Sequence, residues 1–484
     1  MNTESKGARG KLWIRPGNRR QVNDYEESPR GVFAVFLAYI VVLYLQGSVR
    51  WNFLAALHAE MVIGLVLAAV ALGLVLRRGL HGSRTLITWA SLLLVLITVM
   101  VPLSQVPGVS WNVYWTRVLN FAAFGLCTAT FLRSPRQLAW FMGAYLFAFL
   151  KMAQEGLTPG LMWENQEIPR LHGSTPNYGS PNSYSATQLG TLPFIWYLMP
   201  LAPWYLRLVL GVQAVLAGNV LLRAGSRTGY LGALAASSCL IWLSKNRLRA
   251  LAATVAILMV AIPLIPASYI GRFESIYEDH SQAGDQTSVG DRKEILQDAV
   301  AVFAAHPLGV GVGAFPAVRM EMFGRSQDTH NLYLEVATNL GFLGEIVFLA
   351  FVWCLWKTLL GLINDFKDQQ ARLEDVAEEE RPPGYAQHLA DVKLLLAVSK
   401  ATWVFLVIRV IVGLFGHDLY EIYWWFCAGL AVALGSMRDI AQLNTARLAG
   451  PKPVQGPLVT RRRTALARHG KGLGLVRRVR GSRS

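Results

Sequence analysis

Apolar stretches of roughly bilayer-crossing length recur along this chain, and that recurrence limits its fold more than any other feature. About 20 residues of helix cross a hydrocarbon core. Runs near that length lie at 32–45, 53–76, 86–103, 113–132, 138–152, 186–199, 206–222, 230–244, 251–267, 342–360, 397–414 and 421–434. Only helices and closed barrels satisfy the backbone in lipid, and these runs do not alternate as barrel strands do. The sequence predicts an all-α polytopic membrane protein of about twelve transmembrane helices. Composition agrees: 53% of the 484 residues are apolar and 16% charged. The four cysteines all lie inside apolar runs, without the spacing of a metal site or a disulfide framework.

Charge sets the expected orientation. Of the net +16, much lies in the tail 438–484, and more in the arm 1–31. Such ends suggest nucleic acid first. In a membrane chain they are better read as cytoplasmic ends touching anionic lipid, with no nucleic-acid partner. No A-x-A-like cleavage site follows the first run, which reads as an anchor. With the N-terminus inside, inner loops carry "RRGLHGSR", "RSPR" and "SKNRLR". The short outer loops "QVPGVSWN" and "LFGHDLYE" carry no Lys or Arg, Arg50 being the exception. Both termini are then cytoplasmic. The units are the arm, helices 1–9 in 32–267, an outer loop 268–340, helices 10–12 in 341–437 with an inner loop 361–396, and the tail.

Two outer segments are long. The stretch 154–185, rich in Gly, Pro, Asn and Ser, should be irregular. In the larger loop, "DRKEILQDAVAVFAAHP" has apolar residues at helical spacing and predicts an amphipathic helix, opened by Arg292. "GVGVGAF" then reads as a tight turn, since no βαβ unit supports a dinucleotide loop.

Several ionisable groups gather at the outer end in this topology. Arg223 and Arg227, in "LLRAGSRTGYLG", occupy a short outer connection where cations are disfavoured. Arg227 reads as functional, whereas Arg223 is equally compatible with a snorkelling anchor. Arg409, inside a span, needs a partner; Asp418 and Glu421 are candidates for a structural ion pair. His330 lies in "DTHNLYLEVATNLG". With Asp328 or Thr329 as N-cap, His330 falls in the first helical turn. There, free amides and the dipole favour a phosphate and a neutral imidazole suited to general-base work. Glu335 stacks with Asn331 at i, i+4 and steadies the helix. Absent are H-E-x-x-H, a Walker loop, G-x-S-x-G and an outer D-x-D pair, so neither metal nor nucleotide cofactor is indicated.

"HNLYLEVATNLG" fits an H-N-x9-G pattern, and "SRTG" with the Arg292 helix adds to it. Together they resemble the O-antigen ligase and Wzy-type polymerase superfamily, over about 182–344. The resemblance implies a bacterial inner-membrane glycosyltransferase acting at the periplasmic face, which makes the loop 268–340 periplasmic. Its donor would be a glycan on undecaprenyl diphosphate, and its acceptor a hydroxyl of lipid A-core or of another glycan. Carried over by position, His330 is the base and Arg227 and Arg292 bind the diphosphate, with Arg223, Ser226, Asn331 and Glu335 in support. Two guanidinium groups neutralise a diphosphate without a metal, and attack from the opposite face inverts the anomeric centre. Ligase, polymerase and protein O-glycosylating enzyme stay open. A lipid-linked glycan flippase or transporter is the rival class, although no internal repeat supports it.

Overall fold

The computed structural model describes residues 25–158, 160–163, 169–261, 263, 288–416 and 419–450. The basic arm before 25, the tail after 450 and the loop stretch 264–287 lie outside the described residues. The helices run in order: α1 (Arg30–Tyr44), α2 (Gly47–Arg50), α3 (Asn52–Ala56), α4 (Ala59–Arg78), α5 (Arg84–Met100), α6 (Pro107–Val113), α7 (Leu119–Phe131), α8 (Pro135–Glu155), α9 (Pro181–Leu189), α10 (Leu192–Leu198), α11 (Trp204–Arg223), α12 (Arg227–Leu243), α13 (Arg247–Ala261), α14 (Ser288–Ala305), α15 (Phe315–Phe323), α16 (Leu332–Glu374), α17 (Tyr385–Val412) and α18 (Ile422–Ala449). Their starts are legible locally. Pro107, Pro135 and Pro181 sit in first turns, and Ser134, Ser180 and Ser226 accept first-turn N–H groups.

Among the described residues, Ala59–Arg78, Trp204–Arg223, Leu332–Glu374 and Tyr385–Phe415 are long and apolar enough to cross a membrane. Exposed Leu65, Leu76, Val95, Leu208, Val215, Leu234 and Ile346 cover the outside of the bundle. An apolar surface of that extent belongs in lipid. The chain is an all-helical membrane protein, while twelve crossings remain a proposal. The expected run 186–199 is divided at Gly190 and Thr191 into α9 and α10, and α9 is polar yet buried.

The centre of the bundle is α17 and α18, buried on nearly every face, with α7 and α16 packed around them. Helices α7 and α18 approach closely because both contact points are glycine. A Cβ on Gly429 would lie 2.7 Å from the Gly125 carbonyl oxygen. Small residues at such crossings let membrane helices reach van der Waals contact.

The segment 154–185 is more ordered than its composition predicts. Met162–Trp163 pairs antiparallel with Arg170–Leu171, a small exception to the all-α class, and a 3-10 turn leads into α9. The out-of-place Arg50 is anchored in this region. It grips Glu155 with two hydrogen bonds, 2.6 and 2.9 Å, and reaches Ser174.

Candidate functional site

One end of α17 collects the residues of interest. Gly232, in the second turn of α12, lies against it: a Cβ there would be 3.1 Å from Val412 Cγ2. Arg227 is the first residue of α12, just before this contact, so it stands at the same end. From α16, Asn331 donates to the Leu414 carbonyl at 3.2 Å and Tyr333 to the Val410 carbonyl at 3.0 Å. His330 immediately precedes them. Arg227 and His330, about a hundred residues apart in sequence, thus open two helices docked on one terminus.

The local structure at His330 departs from expectation. The N-cap is Asn331, not Asp328 or Thr329; its side-chain oxygen accepts from the Tyr333 and Leu334 N–H groups at 3.0 and 3.1 Å. His330 therefore precedes the helix, half-buried, with a left-handed backbone at φ 49°. The reason is competition for donors. An Asn side chain reaches first-turn amides better than a residue two or three positions earlier, and so claims amides expected to be free for phosphate. Thr329 secures the other side: its hydroxyl donates to the Asn331 carbonyl at 3.0 Å and its side chain is buried. Non-glycine residues in this region carry about 1 kcal/mol of strain. The flanking hydrogen bonds hold the imidazole on a fixed stem.

Glu335 does not stack on Asn331 as a surface pair. It is buried, and its carboxylate accepts from the Leu419 N–H at 3.1 Å, tying α16 to the connection before α18. Next in chain order, Tyr420 accepts from the Gly313 N–H at 3.2 Å.

The last residue of the H-N-x9-G pattern has its own physical reason. Gly341 (φ 70°, ψ −172°) breaks α16, and the freed backbone groups are met by the glycine turn. Val310 and Gly311 N–H donate to the Thr338 and Asn339 carbonyls at 2.8 and 3.0 Å, and Phe342 N–H donates to the Pro307 carbonyl. "GVGVGAF" is the tight turn expected, with positive φ at Gly309, Gly311 and Gly313.

Arg292 is half-buried in the second turn of α14, which begins at Ser288, earlier than expected. It makes no hydrogen bond or ion pair among the described residues, and none joins it to Arg227 or His330. Its helix is nonetheless tied to the segment before His330. Asp298 pairs with fully buried Arg319 at 2.9 Å, Arg325 pairs with Glu294, and Arg319 donates to the Gln327 side chain at 3.1 Å.

Around Arg227, Ser226 is buried and caps α12 by accepting from the Gly229 N–H at 3.1 Å. Arg223 donates to the Gly156 carbonyl at 3.1 Å and touches Met162 of the hairpin. Arg170, not singled out from sequence, donates to the Ala224 carbonyl and to Asn182, each at 2.9 Å. Three guanidinium groups therefore surround the 223–227 turn. The signal for Arg170, a cation on the outer side, was the one that marked Arg227.

Of the two carboxylates considered for Arg409, only one can be followed. Asp418 lies outside the described residues, and Glu421 pairs with Arg117 at 2.9 Å. Arg409 is buried with its guanidinium 3.4 Å from the centre of the Tyr423 ring, donating to the Ala186 carbonyl at 3.1 Å. Among the described residues, a cation–π contact and a carbonyl hold it.

Residues 212–349 match a family model described as O-Antigen ligase. The matched stretch contains Arg227, Arg292, His330 and Gly341, and the resemblance read from the motifs stands there. No curated protein matches the chain.

Proposed function

We propose that this protein transfers a glycan from undecaprenyl diphosphate to an acceptor hydroxyl at the periplasmic face of the inner membrane. The observation that carries the reading is the O-antigen ligase match over 212–349, which contains every residue assigned to the chemistry. In this reading the acceptor oxygen attacks the anomeric carbon, the bond to the diphosphate breaks, and His330 takes the hydroxyl proton. Arg227 and Arg292 hold the diphosphate as its charge grows. The order built around His330 supports this: a strained backbone locked on both sides is the kind of constraint found at functional sites. Lipid A-core, a growing glycan and a protein hydroxyl are the acceptors such machinery serves, and the first is our preferred assignment.

The test separates chemistry from folding. His330→Gly removes the imidazole and relieves the left-handed strain, so its thermal stability should equal or exceed that of the parent. Its transfer activity in reconstituted membranes should vanish, as should that of His330→Ala. Undiminished transfer by either variant removes His330 as the base.

A further inference from the structure

The opposite end of the same helices carries a feature that glycan transfer does not use. Helices α12 and α16 both pack on α17, and each contributes a tryptophan and then a lysine farther from the candidate site. Trp403 of α17 meets Trp242 of α12 at 5.4 Å between rings and Trp356 of α16 at 4.6 Å. One turn before Trp403 is Lys400, whose ammonium lies 5.5 Å from the centre of the Tyr197 ring. Lys245, just after α12, and Lys367, on α16, are near enough to repel Lys400.

Clustering cations is unfavourable unless something anionic joins them. Lys245 reaches Glu374 at 3.5 Å, and Glu374 also meets Lys393 at 3.4 Å. Lys367 and Lys400 have no ion pair among the described residues. Two further donors are buried without a hydrogen-bond partner, the Trp403 indole N–H and the Tyr197 hydroxyl; Trp403 is 3% exposed. A buried donor left unmet is costly, so the pattern calls for an acceptor.

We infer that Lys245, Lys367 and Lys400, with the Trp403 and Tyr197 donors, form a headgroup site for an anionic glycerophospholipid between α12 and α16. The layering fits such a ligand. The phosphate meets the lysines, the indoles lie at the depth of glycerol and ester groups, and the acyl chains continue along apolar helix faces. A soluble phosphate ester would satisfy the lysines but leave the tryptophan layer without a partner. This site uses no residue of the basic tail and is independent of the role given to His330.

Full-length protein in mild detergent is titrated with phosphatidylglycerol or phosphatidylcholine, with and without millimolar glycerol 3-phosphate, and bound lipid is counted by native mass spectrometry. The tail is present throughout, so its contribution is common to all samples. Phosphatidylglycerol should bind about tenfold or more tightly than phosphatidylcholine, unaffected by glycerol 3-phosphate. Lys367→Gln and Lys400→Gln should each weaken it about five- to tenfold, whereas Lys400→Arg should retain it. Equal binding of the two lipids, or full binding by the Lys367→Gln/Lys400→Gln double variant, overturns the site. Loss in Lys400→Arg equal to that in Lys400→Gln makes the effect one of packing and overturns it too. Competition by glycerol 3-phosphate overturns the lipid as ligand.

Discussion

Arginine and lysine share a charge but not a geometry, and that difference distinguishes a diphosphate clamp from an interfacial anchor. A guanidinium gives two parallel hydrogen bonds to phosphate, whereas an ammonium is a point donor. If Arg227 and Arg292 grip the donor, Arg227→Lys and Arg292→Lys should each lose about 1.5–3 kcal/mol, roughly ten- to a hundredfold in kcat/KM. Arg223 offers an internal comparison, because it donates to the Gly156 carbonyl and to Met162; Arg223→Lys should transfer at near the parental rate. Transfer rates against donor concentration in matched membranes measure all three. Parental rates in both Arg227→Lys and Arg292→Lys would make these residues structural and revive the transporter reading. Of these residues, sequence singled out those whose chemistry is odd for their place: cations in an outer connection, a histidine before an apolar run. It missed Arg170, and it did not foresee the contacts of Arg409 with Tyr423 and the Ala186 carbonyl. Those partners come from elements 54 and 223 residues away for Ala224 and Ala186 respectively, and no local pattern encodes such pairings.

At the scale of elements, Gly341 decides whether the helix that follows the candidate base can meet the turn that follows α14. Its φ of 70° with ψ of −172° is a conformation essentially confined to glycine. A Cβ there would lie 2.6 Å from the Pro307 carbonyl oxygen, so the turn 307–311 would have to leave its hydrogen bonds to α16. Gly341→Ala should therefore destabilise the protein by about 3 kcal/mol or more. Gly361→Ala, where a Cβ meets nothing within 4 Å in the same helix, should be neutral or slightly stabilising. Thermal unfolding followed by size-exclusion in detergent compares them, and equal melting of the two variants would show that the break at 341 is not required. The spacing H-N-x9-G contained this glycine, but not its purpose, since a helical break is invisible in an apolar run that continues on both sides. The helix that Arg292 was expected to open and the glycine turn were legible because periodicity and positive-φ residues are local signals. The capping of α16 by Asn331 was misread because Asp328, Thr329 and Asn331 are all good caps, and their order of preference depends on the fold around them.

At the scale of the whole molecule, the two ends of the bundle both carry cations, most of them paired. At the candidate-site end Arg50 is paired with Glu155, Arg117 with Glu421 and Arg319 with Asp298. At the other end Arg78 is paired with Glu26, Lys245 and Lys393 with Glu374 and Arg438 with Asp365, while Lys367 and Lys400 have no ion pair among the described residues. The rule that orients membrane proteins counts Lys and Arg near helix ends and gives little weight to acids. By that rule we propose that the end with Lys367 and Lys400 faces the cytoplasm and that Arg227 and His330 face outward, where a glycan donor that has crossed the membrane would be met. An impermeant thiol reagent tests this with Ser281→Cys and Ser484→Cys, the parent serving as control because its four cysteines are buried or half-buried in helices. On cells with a permeable outer membrane, Ser281→Cys should react and Ser484→Cys should react only after lysis. Reaction of Ser484→Cys from outside would reverse the orientation. It would put the candidate base on the cytoplasmic face and the lysine cluster in the outer leaflet, removing the periplasmic transferase reading while leaving the fold as described.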